Sequence, residues 1–442
     1  MKQMIPGLVA ALALLALPAA AQEAATPDAA IAVSADVAYI FNTLLFLIGA
    51  FLVMWMAAGF AMLEAGLVRS KNVTTQLFKN VAVFGIAGLM YWVLGYNLMY
   101  PGDWTIGGVI GEIFSPKGID PVAGGVVEDG YSAGSDFIFQ LMFCATTASI
   151  VSGTVAERVR VWPFLIFTVV LTGVIYPIEA SWQWGEGWLS DMGFSDFAGS
   201  TLVHATGGFA ALAGAIVLGA RHGKYGPDGR VKPLPGSNLA LATLGTFILW
   251  LGWFGFNGAS QLAIGSVNDA ADVSRVFVNT NLAASGGVVV AIICSQLRYG
   301  KVDLTMVLNG ALAGLVSITA EPLFPSPFGA ILIGGVGGAI AVFAVPLLDR
   351  FKIDDVVGAI PVHLIAGVWG TLIVPASNPD TSYVTQLVGI VAIGAFVFIA
   401  SFIVWSVLKA TMGIRVSQEA EINGLDISEM SMEAYPDFVQ AK

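Results

Sequence analysis

Apolar residues in this chain gather into long unbroken runs, parted by short polar clusters, rather than alternating or recurring on one helical face. Eleven of these runs fall near 37–66, 78–99, 134–155, 161–178, 198–219, 238–258, 274–297, 303–320, 327–348, 356–376 and 383–409. Each approaches the roughly 20 residues that one bilayer crossing requires. The pattern predicts an all-α integral membrane protein with eleven transmembrane helices. A lipid-facing barrel is excluded, because its strands alternate in character along their length.

The polar clusters test that count. Residues 1–21 read as a cleaved signal peptide: Lys2, an apolar stretch over 9–17, Pro18, then Ala19-Ala20-Ala21 ahead of Gln22. Residues 22–36 read as a lead-in, which places the mature N-terminus outside the cytoplasm. Basic residues then belong on the cytoplasmic side. Sixteen Lys and Arg residues fall there, among them Arg69, Lys71, Arg158, Arg160, Arg221, Arg298 and Arg350, against two outside, Lys117 and Arg275. A missed or false span would invert every later loop. The longest outer loop, 100–133, is acidic, with Asp103, Glu112, Asp120, Glu128 and Asp129.

A repeat gives the spans an organisation. Asp196, Gly199, Val203, His204 and Gly208 recur 159 residues later as Asp355, Gly358, Val362, His363 and Gly367. Both copies read D-x-x-G-x-x-x-V-H-x-x-x-G. The first lies on an inward-running span and the second on an outward-running one, so they belong to five-helix repeats of opposite orientation. The expected layout is a transport domain over 37–410. Repeat one covers about 37–220, repeat two about 238–376, and span eleven about 383–409 stands outside both repeats. Residues 411–442 form a cytoplasmic tail. Asp196 and Asp355 are placed to cap their helices. Eight residues of helix carry each histidine about 12 Å inward, near the middle of a core about 30 Å thick.

Composition narrows the class. Charged residues make up 11% of the chain and hydrophobic ones 57%, whereas soluble domains carry about 25% charged residues. Cys144 and Cys294 sit inside apolar runs and read as buried thiols, not a disulfide. No nucleophile–base set, phosphate loop or nucleic-acid patch stands out, which argues against an enzyme and against a nucleic-acid partner.

Histidine is scarce, with three in the chain. An ionisable residue inside the bilayer is a functional candidate because burying it is costly. Desolvation disfavours imidazolium, so the expected form of His204 and His363 is a neutral pair in which each ring can hydrogen-bond the other. Haem ligation would need further histidine pairs and a metal site a third ligand; neither is visible, and no cofactor is expected. His222, beside Arg221 and Lys224, reads as a solvated loop residue. A second constellation is aromatic: Phe139, Gln140 and Phe143; Trp182, Trp184 and Trp188; Trp253, Phe256 and Ser260, all toward the outer side. An interfacial belt and a cation-greeting vestibule both fit this spacing.

These stretches resemble the ammonium transporters of the Amt/Mep/Rh superfamily, bacterial Amt type. The resemblance is carried by Asp196–Ser200 with Val203, His204, Gly214 and Arg221, by Gly59–Gly66 with Arg69, Lys71 and Asn72, by Ser152–Arg158, and by Gly252–Asn257. It implies a homotrimer in the bacterial inner membrane, with a pore through each subunit. Phe143, Trp184 and Ser260 then correspond to an outer ammonium recruitment site, supported by buried Asp196. Phe143 and Phe256, with Phe139 nearby, resemble a phenyl gate; His204 and His363 correspond to the pore histidines, with Trp253 beside them. The tail residues Gly413, Arg415, Asp426 and Tyr435 resemble a regulatory segment that couples subunits and meets a PII-type signalling protein. Met430-Ser431-Met432 departs from the family's usual His-Gly-Glu there. The resemblance also brings two alternatives, an ammonium sensor and a neutral-gas channel of the Rh kind. A sensor carries an appended signalling domain, for which the tail is short, and a neutral gas needs no cation site.

Overall fold

The computed structural model describes residues 33–102, 104–106, 108–111 and 130–436. The expected signal peptide, all but the last residues of the lead-in (Val33–Asp36), and most of the acidic outer loop lie outside these residues. In chain order the principal helices are α1 (Ala35–Leu67), α2 (Ser70–Met99), α3 (Ala133–Thr154), α4 (Val161–Ser181), α5 (Ser200–Leu218), α6 (Leu239–Gln261), α7 (Val267–Tyr299), α8 (Leu304–Ile318), α9 (Pro327–Arg350), α10 (Ile360–Ala376) and α11 (Tyr383–Thr411). Among the described residues, nine are long and apolar enough to cross a membrane, and α8 and α10 are shorter. The two short ones are the expected runs 303–320 and 356–376. Asp303 caps the first at its start, and a capped loop rather than helix occupies 355–358 in the second.

Helix starts follow local chemistry. Ser34, Asn238, Ser326 and Ser382 each accept a backbone N–H of the first turn, and Ser266 with Asp269 forms a capping box at α7. A small antiparallel pairing, β1 (Trp104–Ile106) with β2 (Ile110–Gly111), departs from the all-helical expectation. Cys144 is buried as expected, whereas Cys294 is only half-buried, because the α7 face around Ile292 points outward; both thiols are free.

The core sits between helices, and much of the outer wall is apolar and exposed, for example Phe51, Val81, Leu297 and Val384. At one end of the bundle the loops carry a buried charge chain. Arg69 pairs with Glu157, Glu157 with Arg221, and Arg221 with Asp354. Burial alone would raise the Asp354 carboxyl, but the hydrogen bonds of Arg221 and the charges of Arg158 and Arg221 hold it well below the usual carboxylate range. Burial brings the Arg158 guanidinium down to about 10, against the pull of Asp354.

The tail packs across this end as α12 (Gln418–Asn423) and α13 (Leu425–Met430). Gly413 takes φ 70°, turning the chain after α11. Arg415 pairs with Glu421, whose carboxylate also accepts the His222 backbone N–H. Asp426 accepts the backbone N–H groups of Thr74 and Thr75 at 2.9 and 2.8 Å, at the start of α2. Tyr435 packs with Ala434 against Ala65, Val68, Val73 and Ala156.

Candidate functional site

Each position of the repeated pattern has a local physical reason. The Asp196 carboxylate accepts four backbone N–H groups, from Gly199, Ser200, Thr201 and Leu202, at 2.7–3.0 Å. Asp355 accepts those of Gly358 and Ile360 at 3.2 and 2.7 Å, and the Thr154 hydroxyl at 3.1 Å. Both therefore satisfy donors that a helix start leaves open. Gly199 and Gly358 take φ 101° and 82°, a left-handed turn that a side chain rarely adopts. In both copies the first turn, Ser200–Ala205 and Ile360–Ile365, is π-helical, a wide turn often found at functional sites.

The two copies then cross. His204 and His363 approach through their Nδ1 atoms at 3.3 Å, with ring centroids 5.3 Å apart. An Nδ1–Nδ1 contact requires one nitrogen to donate and the other to accept. In a neutral pair, one outer nitrogen is then an acceptor and the other a donor. His204 is fully buried, and its Nε2 has no hydrogen-bond partner among the described residues. Trp253 stacks on the His204 ring at 4.9 Å and is fixed by its own N–H, which donates to the Thr319 hydroxyl.

On one side of the histidines stand two phenyl rings. Phe256 lies 5.1 Å from His204, and Phe143 lies 4.2 Å from Phe256, centroid to centroid. Both are fully buried or nearly so. Phe139 packs edge-on behind Phe143 and does not line the space beyond it. That space is a cavity of about 850 Å³, lined by Phe143, Trp184 and Ser260 together with Tyr96, Asp136 and Gln140. Trp184 meets Phe143 edge to face at 5.9 Å, and its N–H donates to the Asp196 carbonyl. The Ser260 hydroxyl donates to the Phe256 carbonyl, which leaves its oxygen lone pairs for a donor. Asp196 does not line the cavity; it holds the backbone that holds Trp184. Trp182 and Trp188 lie outside the lining and pack on each other.

On the other side of His363 is a void of about 10 Å³, walled by Phe60, Ile150, Leu312 and Val362. That size is at the lower limit for one water molecule. The histidines thus sit between a large cavity with a mixed polar lining and a small, mainly apolar void.

The sequence model described as Ammonium Transporter Family matches residues 44–435. The chain belongs to the ammonium transporter family. The transporter is 42% identical over 425 residues to ammonium transporter Amt2 of Archaeoglobus fulgidus, covering 89% of this chain and 88% of that protein. Among solved structures it superposes on one titled Sensor Amt Protein with a TM-score of 0.84 at 34% identity, covering 90% of this chain and 100% of that one. Candida albicans Mep2 gives a TM-score of 0.77 at 27% identity, covering 88% and 89%.

Sequence reading missed part of the transporter's interior. Glu64 lines the small void below His363, and its carboxylate accepts from Gln76, Asn80 and the Ser152 hydroxyl. Beside it Lys79 donates to the Ser152 carbonyl at 2.8 Å and lies 4.9 Å from the Phe164 ring centre. Glu64 stands inside the first apolar run, and a carboxylate there was the available signal. Among the described residues, groups of three or more metal-ligating side chains are absent.

Proposed function

We propose that the chain moves ammonium across the membrane through a path that runs from the Phe143–Trp184–Ser260 cavity, past Phe143 and Phe256, to His204 and His363. The aromatic faces of Phe143 and Trp184 attract the cation, and the Ser260 oxygen accepts one of its N–H bonds. The two phenyl rings then exclude water, so an ion that must stay charged meets a steep desolvation cost. Potassium cannot shed its charge. Ammonium can leave its proton and cross as ammonia along the imidazoles, with the proton passed by the same pair. The single observation that carries this reading is the sequence Phe143, Phe256, His204, His363 in successive ring contacts.

In this reading α8 and α10 serve as spans eight and ten, giving eleven crossings and two inverted five-helix repeats with α11 outside them. The subunit works as a homotrimer in a bacterial inner membrane, N-terminus periplasmic and tail cytoplasmic. The tail, through Gly413, Arg415, Asp426 and Tyr435, meets a PII-type protein. Supporting the tail's placement, it docks on Lys71, Arg158 and Leu218, at the end of the bundle that carries the Arg69–Glu157–Arg221 chain.

Ammonium- and potassium-evoked currents in proteoliposomes test the path, with His204→Ala and His363→Ala beside the unmodified protein. Loss of the preference for ammonium supports it; unchanged selectivity in both variants would falsify it. A second reading, ammonium sensing, is favoured by the likeness to the structure titled Sensor Amt Protein. Binding without current in the unmodified protein would decide for that reading.

A further inference from the structure

The outer cavity reaches well beyond Phe143, Trp184 and Ser260. Its volume, about 850 Å³, compares with the roughly 10–15 Å³ that admits a single water. Helix α3 sends a stripe of side chains along it: Asp136, Gln140 and Phe143, at helical spacings of four and three residues. Asp136 therefore stands about 10 Å along the axis from Phe143, between the cavity's far end and the phenyl pair.

The chemistry of this stripe points to a ligand. Asp136 is 7% exposed and accepts the Tyr96 hydroxyl at 2.5 Å. Gln140 is also 7% exposed, and its amide oxygen has no hydrogen-bond partner among the described residues. The amide oxygen of Gln183, which lines the same cavity, likewise has none. Both oxygens are almost wholly enclosed, and leaving a buried acceptor unmet costs about 1–3 kcal/mol, so an N–H or O–H donor that reaches them from the cavity side is favoured. The charged side chains of the described lining are the carboxylates of Asp136 and Glu186, with no Lys or Arg among them. Tyr96, Tyr100 and Tyr131 add aromatic walls.

We propose that Asp136, Gln140 and Gln183 form a second cation subsite, one step outside Phe143 and Trp184, which holds a primary ammonium cation. Its ligands are ammonium itself or a short alkylammonium: Asp136 supplies the charge, and the two amide oxygens accept N–H bonds. Potassium and tetramethylammonium match the charge and the aromatic walls but bring no N–H donor, so they bind here weakly. The subsite rests on the reading of the cavity as the ammonium entrance, and it loads the trio below with a cation already partly stripped of water.

The test uses the full chain in two formats. Ammonium-evoked current in proteoliposomes gives the apparent KM for the unmodified protein and for Asp136→Asn, Gln140→Leu and Gln183→Leu. Asp191→Asn, an exposed carboxylate outside the lining, controls for net charge. Asp136→Asn keeps an acceptor for Tyr96. The expected result is an apparent KM raised about ten-fold by Asp136→Asn, the effect of losing roughly one charge contact in a watery mouth, and several-fold by each Gln→Leu change. Asp191→Asn is expected to leave KM in place. Calorimetric titration of the detergent-purified protein with methylammonium and with tetramethylammonium reads binding without transport. Methylammonium heat that fades in Asp136→Asn and Gln140→Leu supports the subsite. Current in the unmodified protein with KM unmoved by both substitutions sinks the subsite and leaves the transport reading standing. No current at all sinks the transport reading, and the calorimetry then decides the subsite alone. Equal binding of tetramethylammonium would overturn the role of the amide oxygens.

Discussion

Gly208 lies beneath Leu364 so closely that a Cβ added to it would stand 2.6 Å from the Leu364 Cβ and 2.7 Å from its backbone nitrogen. The other copy repeats the contact: a Cβ on Gly367 would meet the Ser200 carbonyl at 2.4 Å and the Ala205 Cβ at 3.4 Å. Gly208 thus receives the residue that follows His363, and Gly367 receives the Ser200 carbonyl with Ala205, the residue after His204, just behind it. The crossing of α5 and α10 at these two points is what sets the imidazoles 3.3 Å apart.

That crossing predicts the effect of filling it. Gly208→Val and Gly367→Val must push backbone aside, and overpacking of this kind costs about 1–3 kcal/mol. A lowered thermal midpoint and a lost ammonium current are expected in both variants. Wild-type midpoints with intact current would show that the close approach does not set the histidine geometry.

Asp196 predicts a graded series. Hydrogen bonds to a charged acceptor contribute about 1.5–3 kcal/mol each, and this carboxylate accepts four. Asp196→Ala is expected to be the more damaging change to folded yield, with Asp196→Asn intermediate because one amide oxygen still accepts. Size-exclusion chromatography and thermal melts read the order; Asn behaving worse than Ala would contradict the capping role.

The buried charge chain predicts a pH dependence. Burial tends to raise the Glu157 carboxyl, but Arg221 and then Arg69 bring it below its ordinary value, as Arg221 and Arg158 do for Asp354. A carboxylate depressed by folding adds stability above its unfolded pKa, near 4, and that stability is lost as pH falls through the lower folded value. The melting temperature should therefore drop as the medium is acidified below about pH 4. Asp354→Asn, which removes one of the two carboxylates that pair with buried Arg221 and leaves Glu157 as the other, is expected to destabilise the fold by less than the roughly 3–5 kcal/mol of a fully orphaned buried charge and to flatten the acid limb. A mutant curve parallel to the wild type would mean that other groups carry the acid response.

The tail predicts a proteolysis result. Asp426 holds the start of α2 through Thr74 and Thr75, and Lys71 reaches the Glu421 and Ile422 carbonyls. Asp426→Ala should release α12 and α13, so that limited proteolysis cuts after α11 at protease levels that spare the wild type. Equal resistance would assign tail docking to the Arg415–Glu421 pair instead.

Much of this was legible beforehand because its cause is local. Long apolar runs need no tertiary information to read as membrane helices, and nine of the expected spans have that length. The capping aspartates and the glycines at positive φ are settled within a few residues, which is why one thirteen-position pattern revealed both half-sites. The second of the two short helices was over-extended, because 356–358 is as apolar as a helix yet bends around Asp355. Glu64 was overlooked because its partners, Gln76, Asn80 and Ser152, come from two other helices.

By itself, the order of residues determined which segments are helices, where the two histidine copies begin, and which aromatic residues cluster at the ends of neighbouring spans. The tertiary structure alone decided that His204 meets His363, that Phe143 and Phe256 close over them, and that Asp136 and Gln140 look into the same cavity as Gln183. Helix formation depends on neighbours within one turn. A contact between imidazoles 159 residues apart depends on how closely glycine-lined helices cross, and that is fixed only when all the helices pack together.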